Sequence, residues 1–219
     1  MYFRRLKLKG CENILQISPV QINTGCISKG DKQIVYYPQI NFYENYLWEA
    51  KMNNLIIEQV KALISLQVGN MPTTVEEMLG LYEIKNNQRQ VLSLSLSNYT
   101  YHKQAAHGMT YIKSLTFDLE NKQVCHLEDL FTPGSDYVQL ISSLIKEQIQ
   151  QRDIPILNEF TEIQPNQDFY IADKALVIYF QLYEITPYVV GLPMFPISVF
   201  DLIKIINDNG PLSRLAVNN

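Results

Sequence analysis

Two of the chain's three histidines, His102 and His107, fall in NYTYHKQAAHGMTYIKS, Asn98 to Ser114, beside Tyr99, Tyr101 and Tyr111 and just ahead of Gly108. Imidazole is the commonest zinc ligand, so metal binding is the first chemistry this pattern raises. The spacing opposes it. His102 and His107 are separated by a turn, and His126 follows Cys125 so that strand alternation sends the two to opposite faces; no Cys-x-x-Cys occurs. We expect neither a metal nor a cofactor. What remains is an aromatic hairpin corner in which His107 and Tyr111 could anchor a partner. The blander reading has the histidine donating to backbone while Gly108 takes a turn conformation that other residues resist.

A second candidate surface is LYEITPYVVGLPMF, Leu182 to Phe195. Here Tyr183, Glu184, Tyr188 and Met194 sit on a proline-fixed loop, which keeps the ordering cost of binding low; the same loop could simply lid a core. Known catalytic signatures are missing. There is no Gly-x-Ser-x-Gly elbow, no cysteine-protease signature around Cys11, Cys26 or Cys125, and no glycine-rich phosphate loop among the nine glycines. Glu76-Glu77 and Glu128-Asp129 are sequence neighbours and do not converge on one substrate. No catalytic residue is expected, and the chain does not read as an enzyme. A glycan hydrolase would need a second carboxylate near Glu184.

These residues need elements to hold them. Trp48, Met52, Leu55, Ile56, Val60, Leu63 and Ile64 recur at helical spacing, and Gly69-Asn70 with Pro72 stops that helix. Ile34 to Phe42 reads as an edge strand with Pro38 where no ladder bond is donated. Leu92, Leu94 and Leu96 alternate with Ser93, Ser95 and Ser97, a strand covering a core on one side only. A bulge near Asn98 would keep Tyr99 and Tyr101 on its core face. Alternation resumes from Met109 to Leu119, so the two strands make a hairpin, followed by a turn at Glu120-Asn121-Lys122 and a short strand ending near Leu127.

Thr132 to Ser135 reads as a turn plus N-cap opening a second helix, with Val138, Ile141, Leu144, Ile145 and Ile149 on one face. DFYIADKALVIYF reads as a hairpin turning at Asp173-Lys174, its second strand buried on both faces. Glu184 to Ile197 reads as a loop, and Val199, Leu202, Ile203 and Ile206 as a last short helix. The grouping predicts an α+β fold with a mostly antiparallel sheet and two main helices, in two closely joined subdomains, 1–104 and 105–219.

Composition narrows the partners. Hydrophobic residues make up 47% and charged residues 18% of the 219, as in a globular protein, and the net charge of -4 offers no basic field for nucleic acid. FRRLKLK, Phe3 to Lys9, suits a strand edge better than a binding arm. No stretch approaches the run of about 18 apolar residues that spans a bilayer, and no export signal is visible, which as written reads as cytoplasmic. The three cysteines cannot complete a disulfide framework, although one Cys11–Cys26 bridge stays open.

Taken together, AAHGMTYIKSLTFDLENKQVCHLEDLF, SDYVQLISSLIKEQI and QDFYIADKALVIYFQLYEITPYVVGLPMFPIS resemble the RsiV-like family. That family includes the extracytoplasmic lysozyme-binding part of the anti-sigma-V factor and resembles the amino-terminal, non-catalytic region of a peptidoglycan deacetylase. The resemblance runs from Ile34 to Ile206, with Ala105-Ala106 where the family often has Gly-Gly. It implies an α+β binding module of a Gram-positive cell envelope, with a lysozyme-type protein or peptidoglycan as partner. It implies no catalytic residues. The alternatives are a cell-wall glycan hydrolase or deacetylase-associated domain, and a cytoplasmic interaction protein of unknown role.

Overall fold

The structure, a computed structural model, describes residues 19–42 and 44–217. FRRLKLK and the Cys11 side of the Cys11–Cys26 pair therefore lie outside the described residues. The long helix is α1, Tyr46–Val68. Asn45 Oδ1 accepts the Trp48 N–H at 2.9 Å at its start, and Gly69, at φ 52°, closes it with an N–H to Ser65 O. Its buried face, Trp48, Met52, Ile56, Val60 and Leu63, packs on a six-stranded sheet.

That sheet runs in the order β1 (Gln21–Ser28), β2 (Gln33–Asn41), β3 (Val75–Gln88), β4 (Val91–His102), β5 (Met109–Asp118) and β6 (Gln123–Val124). All neighbours are antiparallel except β2 and β3, which are joined through α1 and parallel. β2 is not the expected edge strand. β1 pairs along one side of it, and β3 along the other over Gln33–Val35. Beyond Val35 a helix side chain stands in for a strand: Asn53 Oδ1 accepts the Ile40 N–H and Asn53 Nδ2 donates to Ile40 O, both at 2.8 Å. Residues two apart share a strand edge, so Pro38 points its missing donor to that same side, away from β1.

Where β2 joins β3, Val35 stands opposite Gly80. A Cβ on Gly80 would lie 2.4 Å from Val35 Cγ1 and 2.9 Å from its Cβ. Val35 is 5% exposed and stiff at χ1, so it cannot swing away. Gly80→Ala should cost about 1–3 kcal/mol, read from urea unfolding of the two proteins.

Two expectations for β4 are corrected. The serine face is buried, Ser93 at 0% and Ser95 at 5% exposure, because a second sheet lies on it. This is the antiparallel β7 (Phe169–Ala172), β8 (Ala175–Tyr179) and β9 (Met194–Ser198). Small hydroxyl side chains let the sheets approach to hydrogen-bonding distance. The Ile171 N–H donates to Ser93 Oγ at 3.0 Å, Ser93 Oγ and Thr116 Oγ1 are 2.9 Å apart, and Ser114 Oγ donates to Phe169 O.

Nor is there a bulge at Asn98. The β4–β5 register is unbroken from Val91–Asp118 to Thr100–Met109, and the irregularities fall in β3, at Val75/Glu77 and Ile84/Asn86. Asn98 and Thr100 continue the α1 face as buried polar residues, with Thr100 Oγ1 donating to Asn98 Oδ1 and Gln67 of α1 donating to Asn98 O and Met109 O. Tyr99 and Tyr101 therefore stand on the serine face.

The second sheet has its own helix, α2 (Tyr137–Gln151), which buries Ile141, Ile145 and Ile149 against Ile171, Leu176, Ile178 and Phe195. Its N-cap is Asp136, not Ser135. The β7–β8 hairpin turns at Asp173, φ 49°, and the central strand β8 is buried on both faces, as expected. On its other face Val177 and Tyr179 meet Ile112 of β5. The loop expected through Ile197 ends earlier, because Met194–Ser198 pairs with β8. Pro196 is tolerated on this sheet edge, where its carbonyl accepts from Gln148 Nε2 at 2.9 Å. The last helix expected around Val199 to Ile206 is a single 3-10 turn, Val199–Leu202, and α3 (Pro211–Ala216) follows Gly210.

The fold is α+β with two main helices and two mostly antiparallel sheets. The 104–105 position falls in the β4–β5 connection, so β5 and β6 carry the C-terminal part of the chain into the six-stranded sheet. No helix among the described residues is long and apolar enough to cross a membrane.

Candidate functional site

The β4–β5 connection meets the loop after β8 at an aromatic corner. His107 stacks on Tyr188, centroids 4.1 Å apart and planes at 27°, and Tyr188 stacks on Tyr183 at 5.5 Å and 29°. Hydrogen bonds lock the rings. His107 Nδ1 lies 3.1 Å from Gly108 O, and since a carbonyl only accepts, Nδ1 carries the proton. In the neutral ring Nε2 then accepts from the Tyr183 hydroxyl at 3.1 Å. The Tyr188 hydroxyl donates to the same Gly108 carbonyl at 3.0 Å.

Gly108 has a reason to be glycine other than the expected one. Its φ is not in the left-handed region; instead the Tyr99 ring lies over it, 2.2 Å from where a Cβ would be. The partner loop is fixed from below. Gln181 forms an amide ladder with β5, accepting the Ile112 N–H at 3.1 Å and donating to Ile112 O at 2.7 Å, and Asp168 pairs with Lys113 at 2.8 Å. Pro187 precedes a 3-10 turn, Tyr188–Val190, ended by Gly191 at φ 79°. Tyr183 remains 46% and Val189 88% exposed, so the corner faces solvent.

His107, Tyr183 and Tyr188 are thus brought together by elements far apart in sequence. Three other residues expected with them are not. Tyr111 projects from β5 to the α1 side of the sheet, opposite Asn98. Met194 belongs to β9, where its sulfur accepts from the Tyr170 hydroxyl at 3.5 Å. Glu184 follows Tyr183 but caps its own turn, Oε2 accepting the Gln181 N–H at 2.7 Å. It lines, with Glu159 and Glu162, a neighbouring cavity of about 240 Å³.

His102 has a separate task that the sequence did not suggest. Its Nε2 meets Gln67 O at the end of α1 at 2.8 Å, and its Nδ1 meets Thr74 Oγ1 at 2.7 Å, tying the helix end to β4. Val189 and Gln181 also escaped the sequence reading. Nothing in their local pattern distinguishes an exposed valine or a loop glutamine from any other.

The architecture defines a two-sheet α+β domain, each sheet backed by one long helix. Residues 128–199, from the 3-10 turn before α2 through the whole of β9 to the first residue of the following turn, match the family described as protein of unknown function DUF3298. No curated protein matches the sequence. Among solved structures, a DUF3298-family member from Bacteroides fragilis NCTC 9343 is similar with a TM-score of 0.67 and 12% identity, over 92% of this chain and 99% of that one. A DUF3298-family protein from Pseudomonas aeruginosa PAO1 is similar with a TM-score of 0.62 and 15% identity, over 92% and 97% of the two chains. At such identities the likeness shows a shared fold.

Proposed function

We propose that this chain is a non-catalytic binding module that reads a protein or cell-wall partner through the corner of His107, Tyr183, Tyr188 and Val189. One observation carries the reading: the three rings are stacked and hydrogen-bonded in advance, yet Tyr183 and Val189 stay open to solvent. Aromatic groups that are rigid before binding lose little entropy on contact, and such residues dominate interface energetics. The RsiV-like resemblance makes a lysozyme-type protein and peptidoglycan the first partners to test, in a cell-envelope setting.

Tyr183→Ala is the discriminating variant. The ring is half exposed and, among the described residues, its hydroxyl bonds only His107, so the melting temperature should hardly move. Titration with lysozyme, and sedimentation with purified sacculi, should both be run on wild type and variant. For the true partner, affinity should fall by about 2 kcal/mol, roughly thirtyfold. Unchanged affinity for a ligand that wild type binds would remove the corner from the interface.

A second reading rests on the cavity shared by Glu159, Glu162 and Glu184, since glycoside hydrolysis uses two carboxylates facing one bond. Release of soluble glycan from sacculi by wild type, abolished in Glu162→Gln, would favour it over binding alone.

A further inference from the structure

A second cavity lies away from the aromatic corner. It measures about 440 Å³, within the range of small-ligand sites, and lies where the end of β5, the Glu128–Leu130 turn, the start of α2 and the Asn207–Pro211 segment meet. Tyr137 forms part of its wall, its ring stacked at 4.8 Å and 6° on Phe131.

The charges around it are unequal in their commitments. Asp118 is spent: Arg214 Nη2 lies 2.6 Å away, Asn121 Nδ2 donates at 2.8 Å, and the Glu120 and Asn121 N–H groups donate at 3.1 Å. Glu128 and Asp129, sequence neighbours not expected to converge, both line this cavity from the 3-10 turn, and neither has a cationic partner among the described residues. Asp129 accepts only a backbone N–H, from His126 at 2.8 Å, in the hydrogen bonds described. Their field reaches other groups in the lining. Burial first, and then Asp118 and Asp129, push the Cys125 thiol up to about 12; burial and then Glu128 raise the Tyr137 hydroxyl. Ser135, in the same lining, has a buried Oγ with no hydrogen-bond partner among the protein atoms, and a turn about its Cα–Cβ bond is what would present that oxygen to the cavity.

A bare metal ion does not suit this place. No group of three metal-ligating side chains is gathered among the described residues, and hard cations need six or more close oxygens. A larger cation with an apolar stem fits the volume, the aromatic wall and the uncompensated carboxylates together. We propose that this cavity binds an organic cation, an alkylammonium or alkylguanidinium group, with Glu128 and Asp129 as counter-charges, Tyr137 beside the stem and Ser135 Oγ as a hydrogen-bonding group. The cation would be either a free small molecule or a Lys or Arg side chain of a polypeptide. The proposal does not depend on the aromatic corner.

Calorimetric titration of the protein with n-butylguanidine, spermidine and an acetylated Arg-containing peptide tests it, with citrulline as the uncharged counterpart of arginine. Glu128 is exposed and its side chain holds no structural bond described, so Glu128→Gln should fold normally; Glu147→Gln, on the outer face of α2, controls for net charge. Saturable binding, weakened about tenfold by Glu128→Gln and unchanged by Glu147→Gln, is expected. Binding of the free cations points to a small-molecule source, and binding of the peptide alone to a polypeptide; both support the site. No saturable binding, equal binding of citrulline, or indifference to Glu128→Gln would overturn it.

Discussion

Ser93→Val should lower the melting temperature by roughly 5–15 °C, given about 2–4 °C per kcal/mol for a chain of this size. Ser93 is fully buried between the two sheets, and its hydroxyl does two things at once. It accepts the Ile171 N–H of β7 at 3.0 Å and pairs with Thr116 of β5 at 2.9 Å. Valine removes the acceptor, leaving a buried N–H unpaired at about 1–3 kcal/mol. It also puts a methyl group into a gap sized for an oxygen, an overpacking cost of about 1–3 kcal/mol. Ser93→Thr, which keeps an oxygen, should retain more stability than Val, an isosteric comparison that separates the lost hydrogen bond from the added volume. Equal melting temperatures for Ser93→Val and wild type would mean that the sheets are not in direct contact here.

Phe195→Ala should cost about 3–5 kcal/mol, the usual range for a buried phenylalanine. Phe195 is 0% exposed, meets Phe180 edge to face at 5.8 Å and 84°, and lies under the Arg152 guanidinium at 5.5 Å. It is also the second residue of β9, the strand to which the 184–193 segment is tethered. The same variant should therefore loosen the loop that carries Tyr188, seen as faster amide exchange at Tyr188 to Gly191. Phe195→Leu should retain most of the stability, since a volume-preserving apolar replacement usually costs less than about 1.5 kcal/mol. Chemical unfolding of both variants decides the matter.

The sequence was most legible where one periodicity persisted over many residues. α1 announces itself through Trp48, Met52, Ile56, Val60 and Leu63, and the β7–β8 hairpin through Asp173-Lys174 between apolar runs. The serine strand misled because alternation reports which side chains are small and polar, not what covers them. Ser93 and Ser95 read as solvent-facing and serve as the contact with a second sheet, an outcome decided by β7, some 75 residues further on. Tyr99 and Tyr101 misled for a related reason: bulk suggested the core face, whereas the core face continues through polar Asn98 and Thr100, where Thr100 Oγ1 donates to Asn98 Oδ1 and Gln67 donates to the Asn98 backbone carbonyl. Pro196 hid β9, because a proline argues against a strand unless an edge position is already known.

At the candidate site, residue types were informative and grouping was not. Tyr183 and Tyr188 lie on one loop, and His107 meets them from another element because Gln181 and the Tyr188 hydroxyl tie that loop to β5 and Gly108. Tyr111, four residues after His107, is sent to the other side of the sheet by strand alternation. Gly108 was readable as a constrained position, but the constraint is the Tyr99 ring above it and not a left-handed turn.

The binding account makes the His107–Tyr183–Tyr188 corner the contact surface, and amide hydrogen exchange with and without a bound partner reports on it directly. The measurement should use wild-type protein with lysozyme or with sacculi, whichever it binds in titration. Added protection concentrated at 107–109 and 183–191, with the α1 surface unchanged, is the expected result. Protection confined to other surfaces, with the corner exchanging as in the free protein, would contradict the account.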